Sequence, residues 1–367
     1  VLKTGPPLLP QLGNQWAARR PFDGKTFGLN LHLTTLTATL LRELGIGGGT
    51  YIITAANPAT TDLGVVQYLR NQGFTVYTGG DMNNRHDQLL SHKPDYIVDI
   101  GCALIEALIT RHPEQAKKTL GAIEITRSGV DKLGTLSNLP FPVINVNDGL
   151  LKNAIENRHG VGDGVWSAIS ALTGVHLSGR RALVIGYGPV GKGIAAYARA
   201  AGMFVEVVEA DPVRKLFAHY DGFPTPRLNQ ALERAKFIVT ATGKGGVMGK
   251  RQIERARHGV IFANAGKDGH EIDVSELRLS ATTVDHISEH VVRYHFENGK
   301  SATLLGNGHP LNIVMNSGSH EPVLLHFGVV GLTLEYLLTN DLENAAQIVP
   351  IGIERQAAQE ALFALEI

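Results

Sequence analysis

The residues best placed by type and spacing to do chemistry are the glycines of 182–193, which reads Ala-Leu-Val-Ile-Gly186-Tyr-Gly188-Pro189-Val190-Gly191-Lys-Gly193. An apolar run, a glycine turn and a helix start follow one another in the order a dinucleotide site requires. Gly186 permits the tight turn, Gly188 lets backbone approach a pyrophosphate, and Gly191 allows close contact of helix and strand. The helix from Pro189 then aims free N–H groups and its positive dipole end at the phosphates. Glu209 closes the next apolar run, 23 residues after Gly186. A carboxylate there accepts from a ribose 2′-OH and repels a 2′-phosphate, so the spacing predicts NAD, with Arg214 and Lys215 nearby as the features that favour NADP. His32, Asn57 and Asn147 stand at the ends of other apolar runs, and carboxyl ends of strands are where open α/β sheets bind ligands.

The elements that must position these residues form two series. Val- and Ile-rich segments at 27–32, 51–55, 96–100, 122–126 and 143–147 alternate with helical patterns at 35–44, 63–72 and 104–110. A second series runs through 182–186, 204–209, 237–242 and 260–263, with a helix at 190–201. Such alternation predicts an α/β chain of two doubly wound, Rossmann-like domains with mainly parallel sheets. The expected boundaries are a discontinuous substrate domain of 1–150 plus 319–345, an NAD-binding domain of 163–317, and a C-terminal tail helix in 346–367. The residues before 22 read as an irregular leader.

Composition bounds the rest. The 367 residues suit two or three domains, and 34 basic residues balance 34 acidic ones, so nothing attracts nucleic acid or an anionic membrane in bulk. One cysteine, Cys102, cannot form an internal disulfide, and no metal-binding cluster is legible. Neither a signal peptide nor an 18-residue apolar run is read, and the chain is expected to be soluble and cytoplasmic. Glycine is in excess, 42 residues in all.

With the glycine motif in place, the chain resembles the S-adenosyl-L-homocysteine hydrolase family from about Phe22 to Leu365. Pro142-Val-Ile-Asn-Val-Asn147-Asp-Gly-Leu-Leu-Lys152-Asn-Ala-Ile-Glu156-Asn157 looks like its P-x-I-N-V-N-D run followed by a lysine and an Asp-Asn pair. Gly186 to Gly193 resembles its G-Y-G-x-V-G-K-G, and Glu209-Ala-Asp-Pro212 its E-x-D-P. The resemblance implies bound NAD, a homo-oligomer (dimer or tetramer) and a small-molecule substrate. It also implies a redox cycle: a ribose 3′-OH is oxidised, a thiol is eliminated, water adds, and the ketone is reduced. It makes Lys152 the group that handles the hydroxyl proton, with Glu156 in place of the usual Asp, and Asn157 and Asn147 as positioning amides. His32 serves the leaving group and water, and Lys267 stands where the family has a histidine beside the nicotinamide. Thr34, Asn57, Asp99, Glu124 and His320 are implied to face substrate. Thr126, Ser128, Thr242, Gly243, Asn264, Gly266 and Asn312 are implied to join Gly186, Gly188, Pro189, Val190, Gly191 and Glu209 around the cofactor.

Departures fall on the substrate side. The family's adenine-reading acid is Leu36 here, and two ribose-bracketing acids are Ile100 and Ile125. Each lost neutral contact costs about 1–3 kcal/mol. Either Asp99 or Glu124 fills a vacated role by a one-residue shift, or the substrate differs. The family's C-terminal Lys…Tyr tail is not found, which implies looser NAD or another oligomer. A net dehydrogenase, an eliminating enzyme and a catalytically silent NAD-binding regulator are the alternatives.

Overall fold

The computed structural model describes residues 8–266 and 271–365. Its chain divides into two compact units, 1–156 with 320–367 and 157–319.

The first unit runs α1 (Leu8–Arg19), β1 (Thr26–Leu31), α2 (Thr35–Ile46), β2 (Thr50–Ala55), α3 (Leu63–Asn71), β3 (Thr75–Tyr77), α4 (Met82–Leu90), β4 (Tyr96–Asp99), α5 (Ala103–Arg111), α6 (Pro113–Ala116), β5 (Gly121–Glu124), α7 (Arg127–Leu133) and β6 (Val143–Asn145). A π-helix, Lys152–Val161, contains the division between the units. The second unit continues with α8 (Gly162–Thr173), β7 (Arg181–Ile185), α9 (Pro189–Ala200), β8 (Phe204–Val208), α10 (Pro212–Tyr220), α11 (Leu228–Leu232), β9 (Phe237–Thr240), α12 (Lys250–Arg255), β10 (Val260–Asn264), α13 (Val274–Ser280), β11 (Ala281–Ser288), β12 (Val291–Phe296), β13 (Ser301–Leu305) and α14 (Leu311–Val314). The chain then returns to the first unit as α15 (His320–Thr339), β14 (Ala346–Ile348) and α16 (Ile351–Ala364).

Sheet order is β14-β6-β5-β4-β1-β2-β3 in the first unit, all parallel, and β11-β12-β13-β10-β9-β7-β8 in the second. Both are Rossmann-like. Buried faces explain the near-continuous apolar strands: every residue of β1 after Thr26, and all of β4, β5, β9 and β10, are buried. Side-chain caps start the helices where the strands stop. Thr34 accepts from Thr37 N for α2, Asp62 from Gly64 N and Val65 N for α3, and Asp211 from Arg214 N for α10.

Several readings of the sequence need correction. The expected irregular leader contains α1, which buries Leu8, Leu9, Leu12 and Trp16 in one core with α15 and α16. The segment 346–367 is no separate tail: β14 pairs with β6, and α16 buries Ile353, Ala357 and Ala361 in the first unit's core. The second sheet ends in the antiparallel strands β11, β12 and β13, missed because β11 is exposed along almost all its length and carries no alternation. The apolar helical pattern at 322–338 is part of a longer helix, and the expectation of no 18-residue apolar run is corrected with it. Helix α15 has a mean hydropathy of 1.5, enough by length and composition to cross a membrane, but 61% of that window is buried within the protein. It is the core helix of the first unit.

Candidate functional site

The second unit builds a nucleotide cradle from its glycines. Gly186 has φ +99° where β7 turns toward α9, and a Cβ there would lie 2.5 Å from Ala241 O, so only glycine fits. A Cβ on Gly191 would lie 2.0 Å from Gly186 O, which is the close helix-strand contact the motif requires. At Gly188, by contrast, the nearest atom to such a Cβ is Arg214 Nη1 at 3.9 Å, leaving the space beside the loop open. Pro189 opens α9 and Val190 follows it, so the first N–H groups of the helix face that space.

Glu209 follows β8 beside this loop. Its Oε2 accepts from Tyr187 N at 2.6 Å, and its Oε1 accepts from Ala210 N and Asp211 N. Of the roughly four acceptor sites on a carboxylate, one is left for a ribose hydroxyl. Glu271, which the sequence reading missed, is fully buried and accepts from Thr242 N, Thr242 Oγ1 and Gly243 N. It thereby shapes the loop after β9. Gly266 packs directly on Glu271, since a Cβ there would overlap its carboxylate. Asn264 turns its side chain inward: Oδ1 accepts from Thr240 Oγ1 and Gly266 N, and Nδ2 donates to Gly308 O. These bonds tie β10 to β9 and to the turn at Gly308. Asn312 lies in α14, half-buried. Asn157 begins the second unit within the π-helix. Lys267 lies outside the described residues.

The first unit gathers polar residues at the carboxyl end of its sheet. His32 follows β1 and its Nδ1 is 2.6 Å from Thr60 Oγ1, while Thr34 caps α2. Asn57 caps the short turn after β2, accepting from Ala59 N. Asn147 follows β6, is buried, and donates to Asp148 Oδ1. Just beyond, Lys152 Nζ lies 2.6 Å from Glu156 Oε2, the two side chains being 12% and 10% exposed. His320 heads α15.

Three residues expected to face ligands, Asp99, Glu124 and Thr126, bond to the chain around their own strand ends. Asp99 and Glu124 are both fully buried. Asp99 accepts from Leu104 N and Ile105 N at the start of α5 and from Asn30 Nδ2. Glu124 accepts from Gly101 N, Cys102 N, Thr126 N and Thr126 Oγ1. Thr126 donates to Glu124, accepts from Gly101 N and Gly129 N, and so caps α7, with Ser128 exposed beside it. These groups hold the strand ends together. Burial raises both carboxyl pKa values above the ordinary range, that of Glu124 further because Asp99 is its neighbour.

A family profile described as "S-adenosyl-L-homocysteine hydrolase, NAD binding domain" matches residues 157–318. The chain is 33% identical over 98% of its length, and 88% of the relative's, to an S-inosyl-L-homocysteine hydrolase of Methanopyrus kandleri. It is 32% identical over 98% of its length, and 92% of the relative's, to an adenosylhomocysteinase of Thermotoga maritima. The chain belongs to the S-adenosyl-L-homocysteine hydrolase family. As in that family, its second unit is an NAD-binding domain and the protein is an enzyme of the adenosylhomocysteinase type. Among solved structures, the fold is shared with a dipicolinate synthase of Bacillus halodurans, at a TM-score of 0.55 and 13% identity over 87% of this chain and 100% of that one.

Membership in the S-adenosyl-L-homocysteine hydrolase family sharpens the departures. Leu36 and Ile125 are each 5% exposed and join one apolar core, against which Ile100 packs. Asp99 and Glu124, at the neighbouring positions, are buried and bonded at the strand ends. The cradle residues fit NAD, because the open side of Gly188, the start of α9 and the remaining acceptor of Glu209 lie on one loop system.

Proposed function

We propose that the protein hydrolyses a nucleoside thioether by transient oxidation of a ribose 3′-type hydroxyl, on a substrate whose base is not read by a carboxylate. The observation that carries this reading is the largely buried Lys152–Glu156 pair beside the strand ends of the first unit. When bound, NAD supplies a hydride acceptor that returns the hydride at the end of the cycle. Gly186, Gly188, Gly191 and the start of α9 would hold its pyrophosphate, and Glu209 its ribose. Lys152 takes the proton of the reacting hydroxyl and gives it back on reduction, while Glu156 holds the ammonium in place. Loss of the activated C4′ proton expels the thiol from C5′, and water then adds at C5′ while C4′ regains a proton. His32, its ring fixed through Nδ1 by Thr60, serves the leaving sulfur and the entering water. The net reaction is hydrolysis, with no NAD consumed.

Leu36, Ile100 and Ile125 set the substrate preference. An adenine amino group finds no acceptor at Leu36, whereas a 6-oxo base loses less there. The S-inosyl relative has the corresponding substrate in its name. The test is thiol release by the NAD-loaded protein from S-inosyl-L-homocysteine and S-adenosyl-L-homocysteine, followed together with absorbance of NADH. The expected result is thiol release, greater with the inosyl compound, without accumulating NADH. Stoichiometric NADH, or no release from either compound, overturns the reading.

A further inference from the structure

His326 is a buried imidazole that nothing described so far employs. It is 2% exposed, on α15, and neither ring nitrogen has a hydrogen-bond partner among the described residues. Buried polar atoms in native proteins are almost always satisfied, so a missing partner at such a place points to water or to a group that moves.

Its position follows from the packing of α15. A Cβ on Gly121, at the start of β5, would meet Leu337 Cδ2 at 3.0 Å, which places Leu337 over the amino end of that strand. His326, Val330, Thr333 and Leu337 are all buried and lie on one stripe of the helix at spacings of four, three and four. Eleven residues of helix span about 16 Å and the four residues of β5 about 13 Å, so His326 lies level with the carboxyl ends of β5 and β6. Lys152 follows β6 at that same end.

The chemistry is complementary. A lysine ammonium has three donors, and Glu156 Oε2 lies 2.6 Å from Lys152 Nζ as its ion-pair partner. An uncharged imidazole has one nitrogen that accepts and one that donates. Burial, and after it the positive charge of Lys152, hold the His326 pKa well below its ordinary value, so the ring is uncharged at neutral pH. The other charges at this end are Glu156 on the lysine's own helix and Glu354 of α16, which accepts from Leu151 N at 2.8 Å. Asp148, paired with Arg127 at 3.1 Å, lies there too, as do the buried carboxyls of Asp99 and Glu124 at the ends of β4 and β5.

We infer that His326 is a positioning residue for Lys152: its imidazole accepts, through one ordered water, a hydrogen bond that originates on the lysine ammonium, and so fixes Nζ. The inference rests on the reading of Lys152 as the proton-handling group, but its test does not use turnover. In protein labelled with 13C at lysine Cε, the Lys152 resonance is assigned by its disappearance in Lys152→Met and titrated with pH. His326→Phe removes the acceptor and lowers the midpoint by about half a pH unit or more, while His326→Gln retains an acceptor and stays near the original value. An unchanged midpoint in His326→Phe, or an equal shift in His326→Gln, overturns the inference. Thermal unfolding establishes that each variant is folded, and His326→Met replaces the phenylalanine variant if that one does not fold. Full turnover in Lys152→Met would instead overturn the role of the lysine, whatever the titration shows.

Discussion

Lys152 Nζ and Glu156 Oε2 are 2.6 Å apart, four residues along one π-helix, with little of either side chain in solvent. π-Helical turns are rare and concentrate at functional sites. Replacing Lys152 by Met is expected to lower kcat by about 10²–10⁴, the usual contribution of a positioned acid-base group. Glu156→Asp restores the family's residue at the same charge and should retain most activity, whereas Glu156→Gln should not. Steady-state thiol release, with circular dichroism to establish folding, checks all three.

The glycines of the cradle separate into packing and binding roles. Gly191→Ala forces a Cβ to within 2.0 Å of Gly186 O and should destabilise the second unit, lowering the unfolding temperature even without NAD. Gly188→Ala meets no atom closer than 3.9 Å and should leave that temperature unchanged while weakening NAD binding at least about tenfold, because its methyl group occupies the path of the pyrophosphate. Calorimetric titration with NAD and thermal scans distinguish the two.

Asp99 is a structural acid. Asp99→Ala strands Leu104 N, Ile105 N and the Asn30 amide in a dry interior and is expected to cost about 3 kcal/mol or more of stability. Urea denaturation gives this directly as a fall in midpoint at constant slope. Activity measured well below the transition should change little, since no ligand contact is removed.

Glu124 makes stability depend on pH with a definite sign. Its folded pKa is raised by burial and by Asp99, so above the ordinary carboxylate range the folded protein binds more protons than the unfolded chain. Its contribution is therefore fully present at acid pH and is lost as pH rises through the folded pKa. Glu124→Gln should flatten the decline in unfolding temperature across that interval. An unchanged slope would mean that another group titrates.

The nucleotide cradle was legible because its requirements are local. Gly186, Gly188, Gly191 and Glu209 are fixed by a turn, a close approach and a strand end, all within one β-α-β stretch. Parallel strands were legible for a similar reason, being buried on both faces and so apolar throughout. The backbone contacts of Asp99, Glu124 and Thr126 were not, because a carboxylate at a strand end looks the same whether it faces a ligand or caps the next helix. Glu271 carried no signal: its partners, Thr242 and Gly243, lie some thirty residues earlier. His326 was hidden inside an apolar run, where only packing shows that its nitrogens stand unpaired among the described residues.

The return of the chain to the first unit has a consequence for how the protein is made. Trp16 packs against Gly331, and β6 receives its outer neighbour only when β14 has been synthesised. The second unit is contiguous and can collapse as soon as it leaves the ribosome. The first 156 residues must wait, at about 5–20 residues per second, for on the order of ten to thirty seconds before α15, β14 and α16 arrive. During that interval the apolar faces of α1 and β6 are uncovered, which makes the nascent first unit the natural client of chaperones and the part of the molecule most exposed to aggregation.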